Sequence, residues 1–224
     1  LRLVGSEMCI RDRDKLSQKL ITEEILSVFP THAVLGEEGY TGDRNSEYEW
    51  IVDPIDGTVN YFYTIPWFCV SIALRRRGEI VLGVIYDPMM DECWHVEKGG
   101  IPYMNDHPMH CSRREKMAEA VVFVGHGKTD GSKEKGIERF AKIAWQVRKV
   151  RNNGSAALAL AYIACGRFDA YVESVISIWD IAAGVLLVEA AGGKVVLEPK
   201  EDNPEQFAIV AWNGRIPIME ALDE

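Results

Sequence analysis

Trp50-Ile51-Val52-Asp53-Pro54-Ile55-Asp56-Gly57-Thr58 is the stretch whose reading decides the fold. A short apolar strand, Trp50 to Val52, runs without a linker into two carboxylates, a proline, a glycine and a threonine. Val59-Asn60-Tyr61 follows, where a short helical turn can start. Glycine lets backbone approach a ligand closely, and N–H groups at a helix start bind phosphate oxygens. Taken alone, Asp56-Gly57 is a common turn dipeptide, so its meaning depends on what the rest of the chain brings to it.

Working outward, acids recur where a strand stops or a helix begins. Glu37 and Glu38 follow the short strand Ala33-Val34-Leu35, Glu173 follows Ala170-Tyr171-Val172, and Asp180 precedes a helix over Ile181 to Ala191. Each has an ordinary reading by itself: a solvated acidic loop, a surface residue, a helix N-cap. Strand ends in layered α/β proteins converge on one rim, so the combination places six carboxylates, Glu37, Glu38, Asp53, Asp56, Glu173 and Asp180, in one small volume. Like charges at such range are costly unless cations intervene, and oxygen donors without His or Cys favour Mg²⁺ or Mn²⁺. Gly154-Ser155-Ala156 sets up a second helix start, whose ordinary reading is capping.

The remaining pattern frames these segments. A helical stripe of Leu16, Leu20, Ile21, Ile25 and Val28 runs from Asp14 to Phe29 and is closed by Pro30. Phe68 to Leu74, Ile80 to Tyr86 and Glu92 to Val96 read as a β-meander, with Arg75 to Gly78 a turn and Gly99 to Pro108 a loop. Beyond about residue 118 strands and helices alternate. Ala120 to Val124, Val147 to Val150, Lys194 to Leu197 and Phe207 to Trp212 are strands; Lys133 to Trp145 and Ala156 to Cys165 are helices. Strands first and alternation later predict a layered α+β or α/β architecture with two sheets.

Composition excludes several function classes. The 224 residues carry 25 Lys+Arg against 34 Asp+Glu, a formal charge of −9 that argues against a nucleic-acid or anionic-membrane partner. The five cysteines are scattered and odd in number, which points to reduced thiols in a cytoplasmic protein rather than a disulfide framework. No apolar run approaches the ~18 residues of a membrane span, and the opening residues show no signal-peptide pattern. Leu1 to Arg13 shows no helical or strand period and reads as a foreign or truncated lead-in. Arg75-Arg76-Arg77 reads as a solvated turn. His32, His95, His107, His110 and His126 lack metal-ligand spacing, and Trp50, Trp67, Trp94, Trp145 and Trp212 read as core or interface.

Gly36-Glu37-Glu38, Asp53-Pro54-Ile55-Asp56-Gly57-Thr58 and Trp179-Asp180-Ile181-Ala182-Ala183-Gly184 resemble, in order, the three signature motifs of the inositol monophosphatase family. The resemblance implies a five-layered αβαβα fold and a magnesium-dependent, lithium-sensitive phosphatase that is a homodimer. It implies one catalytic domain over residues 14–224, with a metal-binding part and first sheet over 14–117 and an alternating α/β part over 118–224, and a first family helix missing. Glu37, Asp53 and the Ile55 carbonyl are then expected to hold one Mg²⁺, and Asp53, Asp56 and Asp180 a second, with a third ion again on Glu37. Mn²⁺ is a substitute, and Asp14 falls on an acid near the metals. Glu37, Thr58 and Asp56 form the expected catalytic set, with Thr58 and Glu37 orienting the attacking water. Asp56, Gly57, Thr58, Gly154, Ser155, Ala156, Glu173 and Asp180 are the expected substrate contacts.

Glu173 bears on which ester is cleaved. It falls on the position that accepts ring hydroxyls in inositol monophosphatases, and a carboxylate there suits a polyol and repels a second nucleotide phosphate. The expected reaction is hydrolysis of inositol monophosphate by water, without a phospho-enzyme. Fructose 1,6-bisphosphate, histidinol phosphate and 3′-phosphoadenosine nucleotides are the alternatives, the bisphosphate drawing on a Lys or Arg in the Gly127 to Lys135 loop. A non-catalytic metal-binding scaffold is the alternative from another class. It has no need of a water-orienting Thr58, and a two-metal nuclease lacks a basic groove.

Overall fold

The computed structural model describes the backbone of residues 3–127 and 129–223, and side chains of residues 12–127 and 129–222. The chain begins with a helix, α1 (Leu3–Val28), followed by β1 (Ala33–Gly36), β2 (Gly39–Thr41), β3 (Tyr48–Asp56) and the short α2 (Thr58–Phe62). The meander comprises β4 (Cys69–Arg76), β5 (Glu79–Asp87) and β6 (Glu92–Glu97), extended by the two-residue strands β7 (Tyr103–Met104) and β8 (His107–Pro108). Then come β9 (Val121–Val124), α3 (Asp130–Ala144), β10 (Lys149–Arg151), α4 (Ala156–Ala164), β11 (Ala170–Ser177) and α5 (Ile178–Ala190). β12 (Lys194–Lys200), β13 (Asn203–Trp212) and α6 (Ile218–Asp223) end the described chain.

Thirteen strands form an eight-stranded sheet, ordered β2-β1-β3-β4-β5-β6-β7-β8, and a five-stranded sheet, ordered β10-β9-β11-β13-β12. α1 packs on β1 and β3, α4 and α5 touch both sheets, and α3 and α6 lie on the second sheet, which yields five layers, αβαβα. Alternation along the strands produces the layering. Phe123 and Tyr171 point into the central core with α4 and α5, whereas Val122, Val124, Ala170 and Val172 face the outer cluster with Ile143 and Ile218. α4, with the sequence AALALAYIA, is apolar on every side because it lies between two sheets. α4 and α5 approach until a Cβ on Gly184 would stand 2.5 Å from Leu160 Cβ, and a Cβ on Gly83 of β5 would stand 2.8 Å from the Ala183 carbonyl. Close backbone packing therefore fixes α5 against the first sheet.

Several expectations need correction. The stretch 1–13 is, from Leu3 onward, the first half of α1; Leu1 and Arg2 lie outside the described residues. The face of α1 that is buried carries Asp14, Gln18 and Thr22, while Leu16 and Leu20 are about half exposed, at 50% and 54%. Polar groups face inward because the β1–β2 turn needs them: the Glu38 amide donates to Gln18 Oε1 at 2.9 Å and Gln18 Nε2 donates to the Gly39 carbonyl. Arg75 and Arg76 belong to β4 rather than to a turn. Arg75 pairs with Glu49 of β3, and Arg76 and Arg77 share Glu47 just before β3, at 2.8 and 3.2 Å, so two carboxylates offset most of the triplet's charge. The expected 127–135 loop is largely the start of α3, with Lys133 beside Asp130; Lys128 lies outside the described residues. Trp94 is fully buried, but Trp145 stands 92% exposed after α3.

One buried ion network ties the second sheet together. Asp169, wholly inaccessible, accepts from Arg114 Nε at 2.8 and 2.9 Å, from the Val121 amide at 2.8 Å and from Ser112 Oγ. Asn213 Nδ2 donates to Ser112 Oγ and to the Arg114 carbonyl, both at 2.9 Å. The segment before β9 is thereby fastened to the start of β11 and the end of β13 by charge-assisted bonds. No helix among the described residues is long and apolar enough to cross a membrane.

Candidate active site

β3 does not stop at Val52. It pairs with β1 as far as Gly36↔Val52 and with β4 through Asp53↔Ser71, then resumes at Asp56↔Cys69 after an irregularity. Pro54 fits there because no ladder needs an N–H at that point. The irregularity turns Asp53 and Asp56 toward the same side, where α5 delivers a third acid. α5 starts at Ile178, so Asp180 lies in its first turn rather than before it. The Asp180 carboxylate accepts from the Ser177 amide at 3.1 Å and so keeps a capping role as well. One carboxylate oxygen from each of Asp53, Asp56 and Asp180 lies within 4.8 Å of the others.

Burial and mutual repulsion set the protonation of this trio. Asp53 is pushed well above the usual carboxylate range by burial, then by Asp180, Asp56 and Glu37. Burial and Asp56 lift Asp180 to about 8. Burial raises Asp56 only to about 6, because the Ser155 hydroxyl and the amides of Ala157 and Ala156 favour its ionised form. Glu37, half-buried in the turn between β1 and β2, stands outside the trio yet contributes to all three shifts. Glu38 faces elsewhere, lining a cavity with Lys15, Gln18 and Thr22 beside α1. The six expected carboxylates thus resolve into a tight trio, an adjacent Glu37, a separate Glu173 and an outward Glu38.

The start of α4 holds one of the protein's own carboxylates. Ser155 caps α4 by accepting from the Leu158 amide at 3.2 Å and donates to Asp56 Oδ2 at 2.6 Å. The Ala157 amide donates to the same oxygen at 2.6 Å, and the Cys69 thiol approaches it at 3.9 Å. The anion at this helix start is therefore Asp56 itself, which the helix dipole and the free amides both favour. Ser155 is buried and engaged with Asp56, so Gly154-Ser155-Ala156 acts first on the carboxylate. Gly57 precedes α2 with φ 94°, a conformation that glycine adopts without strain. Thr58 Oγ1 donates to the Ile55 carbonyl at 3.0 Å, which brings two expected site groups into contact.

Sequence reasoning missed the groups that hold these elements. Asn60 Nδ2 donates to the Trp67 carbonyl at 2.7 Å and to the Asn153 carbonyl at 2.6 Å, clasping α2 to the loop before α4. Gln18 lies four residues after Asp14 on the buried face of α1, and that spacing was its available signal. Tyr171 donates to Glu173 Oε2 at 2.5 Å; two residues apart on β11, they share a face.

The oxygen-only donor set fits a hard divalent cation. Buried carboxylates this close carry raised proton affinities that a cation would replace. Asp53, Asp56 and Asp180 are the residues that would hold it.

Comparison with known proteins agrees with this geometry. A family model described as the inositol monophosphatase family matches residues 5–217, starting inside the stretch expected to match nothing. An inositol-1-monophosphatase of Mesorhizobium japonicum is 40% identical over 214 residues, covering 94% of this chain and 80% of that protein. A fructose-1,6-bisphosphatase/inositol-1-monophosphatase of Thermotoga maritima is 36% identical, covering 95% of this chain and 80% of that protein. The solved structure of an inositol monophosphatase from Anabaena (Nostoc) superposes with a TM-score of 0.85 at 35% identity, covering 98% of this chain and 91% of that one. With the motifs in order, the five layers in place and three acids converging, the chain belongs to the inositol monophosphatase family and is a phosphoric monoester hydrolase.

Proposed function

We propose that the chain hydrolyses the phosphate monoester of a polyol, inositol monophosphate first, with Mg²⁺ at the Asp53–Asp56–Asp180 trio. The observation that carries this reading is the convergence of those three carboxylate oxygens within 4.8 Å, beside the Gly57–Thr58 turn. Glu37 and the Ile55 carbonyl complete the ligand set, and Mn²⁺ can replace Mg²⁺. When bound, the cations neutralise the phosphate dianion and lower the pKa of water. The protein's own groups do the rest. Thr58, its proton engaged by Ile55, turns oxygen lone pairs toward the attacking water, and Glu37 assists its deprotonation. The first amides of α2 hold phosphate oxygens. Water attacks phosphorus and gives up a proton to Glu37, the P–O bond to the polyol breaks, and the leaving oxygen takes a proton from solvent.

Glu173 supports a polyol over a nucleotide bisphosphate. It is a buried carboxylate on β11, and an acceptor of that kind recognises hydroxyls and repels phosphate. The bifunctional name of the Thermotoga relative makes fructose 1,6-bisphosphate the comparison substrate that matters. The free thiols of Cys69, Cys93, Cys111 and Cys165 suit a reducing cytoplasm. The homodimer reading is supported by a surface on α3, where Ile137 at 66%, Phe140 at 39% and, just beyond its end, Trp145 at 92% form an exposed apolar stripe of i, i+3 and i+8 spacing. Two copies pairing these helices bury it.

Three outcomes follow. Phosphate release from inositol 1-phosphate requires Mg²⁺ or Mn²⁺, is inhibited by lithium, exceeds release from fructose 1,6-bisphosphate, and falls at least ~10³-fold in Asp53→Asn; activity that survives chelation contradicts the reading. Asp56 and Asp180 keep protons in the folded state that the unfolded chain has released, since their values rise from 3.8 to about 6 and about 8. Stability of the chelated protein therefore falls as pH climbs from about 4 through about 8. Thermal unfolding should show this decline, a Mg²⁺ gain that grows with pH, and a shallower slope in Asp180→Asn; an unchanged slope in that variant counts against the assignment. Light scattering should give a dimer mass for the wild type and a monomer mass for Trp145→Glu, and a wild-type monomer would remove the α3 proposal.

A further inference from the structure

Tyr171 has no role in holding the metal or the phosphate, yet it is completely buried and its hydroxyl donates to Glu173 Oε2 at 2.5 Å. Glu173 is itself 7% exposed, and a carboxylate so enclosed is costly unless donors hold it. Across from it, Gly125 follows the last residue of β9, and its amide donates to the Val172 carbonyl at 2.9 Å. A Cβ on Gly125 would stand 1.7 Å from Glu173 Oε2, so only glycine leaves the carboxylate its place. Downstream, the ladder between β11 and β13 is irregular between Glu173 and Ile176, just before the turn into α5 and Asp180. Burial, then Glu173, and less strongly Asp180 and Asp56, disfavour ionisation of the Tyr171 hydroxyl, so it stays a donor to Glu173.

We infer that Tyr171 and Gly125 form the specificity element of the site: the tyrosine hydroxyl and the missing Cβ together fix the plane of the Glu173 carboxylate against which a polyol hydroxyl is read. Tyr171 is a positioning residue and does not touch substrate. Fixing one carboxylate oxygen fixes the direction in which the other accepts, so substrate binding need not first order the side chain. Discrimination then falls on esters with a ring hydroxyl within reach of Glu173, because an analogue lacking it forgoes that bond. Esters without ring hydroxyls gain nothing from the device. This inference rests on the proposed reading of Glu173 as the polyol contact.

The experiment compares kcat/KM for inositol 1-phosphate and for 4-nitrophenyl phosphate, which has no hydroxyl to read, in wild type, Tyr171→Phe, Gly125→Ala and Glu173→Gln. Tyr171→Phe should lower the ratio of the two values about tenfold, mainly through KM for inositol 1-phosphate, with Mg²⁺ activation at the wild-type concentration. Gly125→Ala, by displacing the same carboxylate, should lower the ratio in the same direction. A merely structural loss would lower both substrates together and leave the ratio unchanged, which overturns the inference. If Glu173→Gln lowers the ratio but Tyr171→Phe and Gly125→Ala do not, the reading of Glu173 stands and the positioning role falls. If Glu173→Gln itself leaves the ratio unchanged, the polyol reading fails, and this inference with it.

Discussion

Asp53, Asp56 and Asp180 are held with oxygens within 4.8 Å of one another, at a separation where each fully ionised pair repels by about 3–4 kcal/mol in a medium of effective dielectric ~20. Nothing in the three side chains brings them together; the backbone does. Asp53 and Asp56 are turned to one side by the irregularity in β3, and Asp180 arrives on α5, which is wedged against the first sheet by the contacts of Gly83 and Gly184. The central apolar core supplies the force that holds these elements in place. A cation of charge +2, bound there as proposed, would turn the repulsion into attraction.

The start of α4 shows how a single helix end serves the cluster indirectly. Its amides and the Ser155 hydroxyl converge on Asp56 Oδ2 and hold that acid nearer to its ionised state than Asp180. Asn60 then clasps the loop before this helix to α2, so the Gly57–Thr58 turn and the helix start that steadies Asp56 are joined directly. A dipole that could have met the substrate is used on the protein's own anion.

The layered fold, the meander and the principal acids could be read in the sequence because each leaves a local mark. Strand alternation marks β9 and β11, an all-apolar run marks α4, and Asp-Pro-Ile-Asp-Gly-Thr marks the turn. What escaped was set by long-range contact. The stripe Leu16, Leu20, Ile21, Ile25 and Val28 looks like a buried helix face, but Ile21 and Ile25 are only half-buried and the others exposed, while α1 buries Asp14, Gln18 and Thr22, Gln18 bonding the turn that carries Glu37 and Glu38. The arginines of β4 look like a turn until Glu47 and Glu49 are seen opposite them. Ser155 and Asp56, 99 residues apart, meet only once both sheets have closed on α4, and no spacing rule announces such a bond.

All of this depends on the trio being a cation site. Anomalous diffraction from a crystal grown with Mn²⁺ tests that most directly. The expected result is a strong anomalous peak in contact with Asp53, Asp56 and Asp180, with further density toward Glu37 and the Ile55 carbonyl. Ordered manganese elsewhere, with the three carboxylates bridged only by protons or water, would contradict it.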